Sequence, residues 1–137
     1  MNAVAASVLV LGRATGPVLA LSEPLSLWGG TDPATGRIVE ARHPDHGRSI
    51  AGQILLMPAV RGSSSSSSIL AELLRLGVGP LAIVLGERDE ILVVGAVVAQ
   101  ELYGVECPIL LLGAGAYATV AGLRTATIDI DGTITGP

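Results

Sequence analysis

One stretch restricts this chain more than any other. Residues 54–57 are four apolar side chains in a row, and residues 57–68 then read MPAVRGSSSSSS. A short apolar run closed by a turn signal reads as a buried strand. Residues 69–77, Ile-Leu-Ala-Glu-Leu-Leu-Arg-Leu-Gly, carry the apolar spacing of a short amphipathic helix. A strand, a glycine-containing turn and a helix start gather backbone N–H groups and hydroxyls around one point. The first N–H groups of a helix lack intrahelical partners and sit at the positive end of its dipole, so such a place suits an anion. Arg61 adds a planar, permanently charged fork that matches carboxylate or phosphate. Six serines in a row also fit a floppy linker. The apolar segments pressed against both ends point instead to an ordered turn. A nucleotide phosphate loop would need a Lys after its second Gly, and this chain has no Lys at all. A capping box is not formed either, because Glu72 follows Ser68 by four residues rather than three.

The rest of the composition narrows the class. The chain has 137 residues, enough for one domain (residues 1–137) with a real core. Half the residues are apolar, yet the aromatics are one Trp and two Tyr, so that core is built from Val, Leu, Ile and Ala. A net charge of −4, without a basic stripe or stacking aromatics, argues against nucleic acid. One cysteine permits no internal disulfide and fits a reducing, cytoplasmic setting. The apolar start of the chain has no basic residue before it, so a signal peptide is not expected. The uncharged stretch 107–123 is broken by Pro108, Gly113, Gly115 and Gly122 and is a poor membrane span. The high apolar content suggests a surface covered by a partner.

Taken in order, residues 4–11 and 18–21 read as strands around a turn at 12–16. Residues 22–36 hold Pro24, Gly29, Gly30, Asp32, Pro33 and Gly36 and cannot form a helix. Short strands are expected at 37–41, 49–56, 80–85 and 108–112. A helix is expected at 90–103, ended by Gly104. The form of 113–122 stays open. Residues 125–135 alternate polar and apolar and read as one half-buried strand. The order is β-rich first and β-α-β-α-β later, an α/β domain with a parallel component.

Several other groups invite a role. Asp129-Ile-Asp131-Gly-Thr133 spells the nucleophile motif of haloacid-dehalogenase-type phosphatases. It stands at the wrong end of the chain, without the Lys and further carboxylates that family needs, and reads as a solvated strand face. His43-Pro-Asp45-His46 could offer two imidazoles and a carboxylate to a metal, but a polar turn is favoured because no third strong ligand is near, so no metal site is expected. Cys107 reads as a buried structural thiol. Trp28-Gly29-Gly30 is open between a packed turn and a place where backbone approaches a ligand. No catalytic set stands complete. The chain looks like half of an active site.

Four stretches together carry a resemblance: PLSLWGGTDPATGRI (24–38), HPDHG (43–47), SIAGQIL (49–55) and RGSSS (61–65). The chain resembles the swivel domain, or small subunit, of the aconitase X family, from about Gly16 to the C-terminus. The resemblance implies a swivelling β/β/α fold with a mixed sheet or barrel and a few flanking helices. It implies a lyase, a hydro-lyase that dehydrates a hydroxy acid and works only with a large subunit. That partner would carry an iron–sulfur cluster acting as Lewis acid, with no cluster bound by this chain. By the motif, Ser63 is the base, while Arg61, Gly62, Ser64 and Ser65, with Gly29 and Gly30, hold the substrate. Closing of the small domain over the large one would expel water. Family substrates are cis-3-hydroxy-L-proline in bacteria and 5-phosphomevalonate in archaea; the all-Arg, Ala/Gly/Leu-rich composition favours the first. A non-catalytic anion-binding module without a large partner is the alternative of a different class. The family carries Gly before this Arg, where this chain has Val60, so a different entry to the turn is expected.

Overall fold

The computed structural model describes residues 3–137. These form eight strands: β1 (Ala3–Ala5), β2 (Ser7–Val10), β3 (Ala14–Ala20), β4 (Ile54–Met57), β5 (Ala82–Leu85), β6 (Ile109–Leu111), β7 (Thr125–Ile128) and β8 (Thr133–Thr135). Four helical segments accompany them: α1 (Leu27–Gly30), α2 (Ser66–Arg75), α3 (Glu90–Tyr103) and α4 (Ala114–Ala121). The strands hydrogen-bond in the order β1-β8-β7-β3-β4-β5-β6-β2. β3 to β6 run parallel, while β7, β8, β1 and β2 add antiparallel flanks. Its two outermost strands, β1 and β2, are separated only by Ala6. The sheet therefore curls round until its edges are one residue apart, a barrel-like mixed sheet.

The central strands are apolar on both faces because both faces are covered. Leu55, Met57, Ile83, Leu85 and Ile109 pack toward one cluster with Leu70, Leu73, Leu92 and Ala96 of α2 and α3. Ile54, Leu56, Val84, Leu110, Ala126, Ile128 and Ile134 form the other cluster with Val120 of α4. Helix α3 is bounded by local chemistry. The Asp89 carboxylate accepts the Leu92 N–H at 2.8 Å, and Gly104 ends the helix in the left-handed region. Among the described residues no helix is long and apolar enough to cross a membrane.

Some elements differ from those the sequence suggests. Residues 14–16, expected in a turn, already pair with β7 in β3. Residues 37–41 contribute isolated bridges at Arg37 and Ile38 rather than a strand, and the strand expected from 49 begins at Ile54. The open segment 113–122 contains α4. The strand expected over 125–135 is a hairpin. Asp129 N–H donates to Thr133 O and Gly132 N–H donates back to Asp129 O, with Gly132 at φ 87°. Alternation runs straight through a tight turn without a visible break, which is why the sequence reads as one strand.

Candidate functional site

Strand β4 delivers the chain to Pro58, and Val60 pairs with Leu25 as a parallel bridge. Arg61 N–H continues that pairing, donating to Leu25 O at 3.4 Å. The β-branched Val60 thus sits in extended backbone. No non-glycine residue takes positive φ among the described residues, so the turn does not need Gly there.

The six serines are ordered, and the last three are helical. Ser66–Ser68 form the first turn of α2, which begins three residues earlier than its apolar spacing suggests. Ser65 N–H donates to Ser63 Oγ at 3.3 Å. Ser66 and Ser67 N–H donate to the carbonyls of Ser63 and Ser64 at 2.9 and 3.4 Å. The helix entry therefore satisfies several of its own first donors. The N–H groups of Gly62, Ser63 and Ser64 have no acceptor among the described residues. Donors available to an anion thus lie just before the helix, not within its first turn. Ser63 is half-buried, while Arg61, Gly62, Ser64 and Ser65 are exposed.

The Trp-Gly-Gly segment lies against this turn. Although α1 is counted as one helical turn, Trp28 has φ −76°, ψ 117° and Gly29 has φ 79°, ψ −17°. Those are the central angles of a type II turn, in which the third residue must take positive φ; Gly29 supplies it. Trp28 is 56% exposed. Trp28 N–H donates to the buried Ser66 hydroxyl at 3.3 Å. Gly29, Gly30, Ser26, Trp28 and Glu40 line a cleft of about 240 Å³.

Glu40 closes the arrangement, and sequence reasoning missed it. Its own N–H and that of Val39 donate to Gly30 O at 3.4 and 2.8 Å. Its carboxylate takes Arg61 Nη1 at 3.2 Å. The Ser66–Trp28 and Glu40–Arg61 contacts thus tie the Trp-Gly-Gly turn to the serine turn, while the cleft itself is lined by neither Arg61 nor residues 62–65. No sequence signal marked Glu40, because Arg61 lies 21 positions away while Arg37 and Arg42 flank it in the chain.

The remaining sequence candidates lie elsewhere. His43 is buried, its Nδ1 accepting Asp45 N–H at 3.0 Å and its Nε2 facing Glu23 O at 3.2 Å. Both ring nitrogens are thus occupied in fixing a loop. Asp129 and Asp131 sit in the β7–β8 turn, and the Asp131 carboxylate accepts Thr133 N–H at 3.0 Å.

An iron–sulfur cluster is held by several thiolates. This chain has one cysteine, Cys107, 1% exposed, with burial pushing its thiol up to about 12. No group of three His, Cys, Asp or Glu residues stands together among the described residues. The donor set does not fit a cluster.

The sequence pattern of the aconitase X swivel domain matches residues 3–135. A cis-3-hydroxy-L-proline dehydratase of Hypocrea jecorina is 37% identical over 136 residues, 93% of this chain and 23% of that protein. A phosphomevalonate dehydratase small subunit of Methanothermobacter thermautotrophicus is 41% identical over 92 residues, 67% of this chain and 70% of that one. A crystal structure of Thermococcus kodakaraensis aconitase X, in its holo-form, superposes with a TM-score of 0.83 at 30% identity, covering 100% of this chain and 99% of that one. The chain thus spans less than a quarter of the length of the hydroxyproline dehydratase it matches.

Proposed function

This chain belongs to the aconitase X swivel-domain family, and from that premise we propose that it is the small subunit of a heteromeric hydro-lyase in the cytoplasm. The observation that carries the reading is the junction of the Trp-Gly-Gly and Arg-Gly-Ser turns beside one cleft, through Ser66–Trp28 and Glu40–Arg61. The groups that suit an anionic hydroxy acid are Arg61 and the unpaired N–H groups of Gly62, Ser63 and Ser64, which stand beside the cleft rather than in its lining. On this reading the large subunit supplies the opposite wall and carries the iron–sulfur cluster.

Ser63 is the base. A serine hydroxyl is a weak base with a very high pKa, so its alkoxide has to be stabilised. Here Ser65 N–H already donates to Ser63 Oγ, and the dipole of α2 adds positive potential at its N-terminus. The alkoxide takes the proton from the carbon beside the substrate's carboxylate. The released electron pair becomes the new C=C bond, and the hydroxyl on the next carbon departs toward the partner. Arg61 and the free N–H groups of Gly62, Ser63 and Ser64 hold a carboxylate or phosphate, with Ser64, Ser65, Gly29 and Gly30 completing the wall.

The first substrate we assign is cis-3-hydroxy-L-proline, supported by the match over 93% of this chain to an enzyme named for it. The second, (R)-5-phosphomevalonate, is supported by the 41% identity to a small subunit named for that reaction. The test is anaerobic co-expression with the product of the neighbouring gene, with both compounds offered and Ser63→Ala as control. Turnover of one compound that vanishes in Ser63→Ala supports the reading and chooses the substrate. Turnover that survives moves the base to Ser64, Ser65 or the partner. Absence of any complex favours a solitary anion-binding module.

A further inference from the structure

Glu40 is the one acidic group lining the cleft among the described residues, and nothing in the proposed reaction uses it. We propose that Glu40 is a positioning residue that sets the Arg61 guanidinium beside the cleft in the orientation an anionic substrate meets. The inference rests on the reading that Arg61 holds the substrate.

Three observations lead there. The first is anchorage at both ends. The backbone of Val39 and Glu40 is fixed on Gly30 O, while the side chain reaches Arg61. The second is fit. A Cβ built on Gly30 would come within 4.0 Å of Glu40 Oε2, so the carboxylate lies over the bare backbone of the Trp-Gly-Gly turn. The third is the nature of the ion pair. The Arg61 side chain is 52% exposed and that of Glu40 32%. A pair this wet contributes little to folding. Its consequence is conformational, because a half-exposed arginine without a partner spreads over many rotamers. Only Nη1 is engaged by Glu40, which leaves the other guanidinium edge free for bidentate contact with carboxylate or phosphate.

A rival role would have the opposite sign. If Glu40 merely placed negative charge in the cleft, it would repel the substrate, and removing its charge would tighten binding. Glu40→Gln keeps the size and an acceptor oxygen but loses the charge.

The experiment is a double-substitution cycle in the assembled complex, with whichever compound is turned over. Glu40→Gln is expected to raise KM about three- to fivefold, the upper end of what an exposed ion pair supplies, with kcat changed much less. In an Arg61→Ala background the same substitution is expected to leave KM within about twofold, because its target is gone. Glu40→Asp is expected to recover part of the loss. A KM that falls in Glu40→Gln overturns the inference, as does an equal rise in both backgrounds or a loss confined to kcat. If neither compound is turned over, it is the substrate assignment that fails, and the placement is then decided on this chain alone by nitrogen-15 NMR of the Arg61 side chain. Restricted guanidinium rotation that becomes free in Glu40→Gln supports positioning. Identical side-chain spectra in both proteins overturn it.

Discussion

The buried Ser66 hydroxyl accepts the Trp28 backbone N–H at 3.3 Å, joining two turns that lie 38 positions apart in sequence. Ser66 N–H in turn donates to Ser63 O at 2.9 Å. One small residue at the start of α2 therefore touches both the Trp-Gly-Gly turn and the serine proposed as base. Replacing Ser66 by Ala leaves the partly buried Trp28 N–H without an acceptor, at a cost of about 1–2 kcal/mol. Urea unfolding followed by emission of Trp28, the chain's one tryptophan, is expected to show a lower midpoint with an unchanged slope. An unchanged midpoint would mean that water replaces the hydroxyl at no cost.

Helix α3 approaches the serine turn through Gly95. A Cβ there would lie 2.6 Å from Ser67 O and 3.1 Å from Ser67 Cα. Alanine is the better helix former by about 1 kcal/mol, so local propensity alone favours Gly95→Ala. Overpacking works against it by about 1–3 kcal/mol and must be relieved by shifting α2. The expected outcome is a net loss of stability of roughly 1 kcal/mol in thermal unfolding, together with shifted amide signals at residues 63–67. A stabilised variant would show that α2 can give way freely.

Local rules reach some parts of this chain and not others. The span of α3 is legible because its cap, Asp89, and its terminator, Gly104, are themselves sequence features. The strands β4, β5 and β6 are legible as unbroken apolar runs because both faces of the sheet are covered. At residues 129–132 the polar alternation of a strand and the polarity of a tight turn coincide, and the turn goes unseen. The serine turn can be located from its neighbours, but which donors it leaves free depends on hydrogen bonds among its own hydroxyls and carbonyls. Glu40 is invisible for another reason. Its contact with Arg61 spans 21 positions and exists only once the loop carrying it has folded onto Gly30.

The β7–β8 turn makes a prediction about acid. The Asp131 carboxylate accepts the Thr133 N–H, which holds its pKa below the ordinary 3.8. A carboxyl depressed in the folded state stabilises above its unfolded pKa, and that contribution is lost as pH falls through the folded value. Asp131→Asn keeps an acceptor but does not titrate. The difference in Tm between wild type and variant is expected to be constant above about pH 5 and to shrink below about pH 4. Calorimetry at several pH values checks it. A difference that grows on acidification would contradict the assigned direction.

Cys107 makes the last prediction, and it separates this chain from its proposed partner. The thiol is buried in the cluster beneath α2 and α3, and desolvation pushes it up to about 12. Thiol reagents attack the thiolate, so a group with both features reacts neither by ionisation nor by access. A disulfide reagent is expected to modify no thiol in the folded chain near neutral pH and one per chain in denaturant. Cys107→Ala is expected to cost about 1–2 kcal/mol through lost packing, without touching the cleft. Oxygen sensitivity of the assembled enzyme would then originate outside this chain. The Cys107→Ala complex is expected to lose activity in air at the wild-type rate, and a markedly slower loss would place the oxidised group at Cys107 after all.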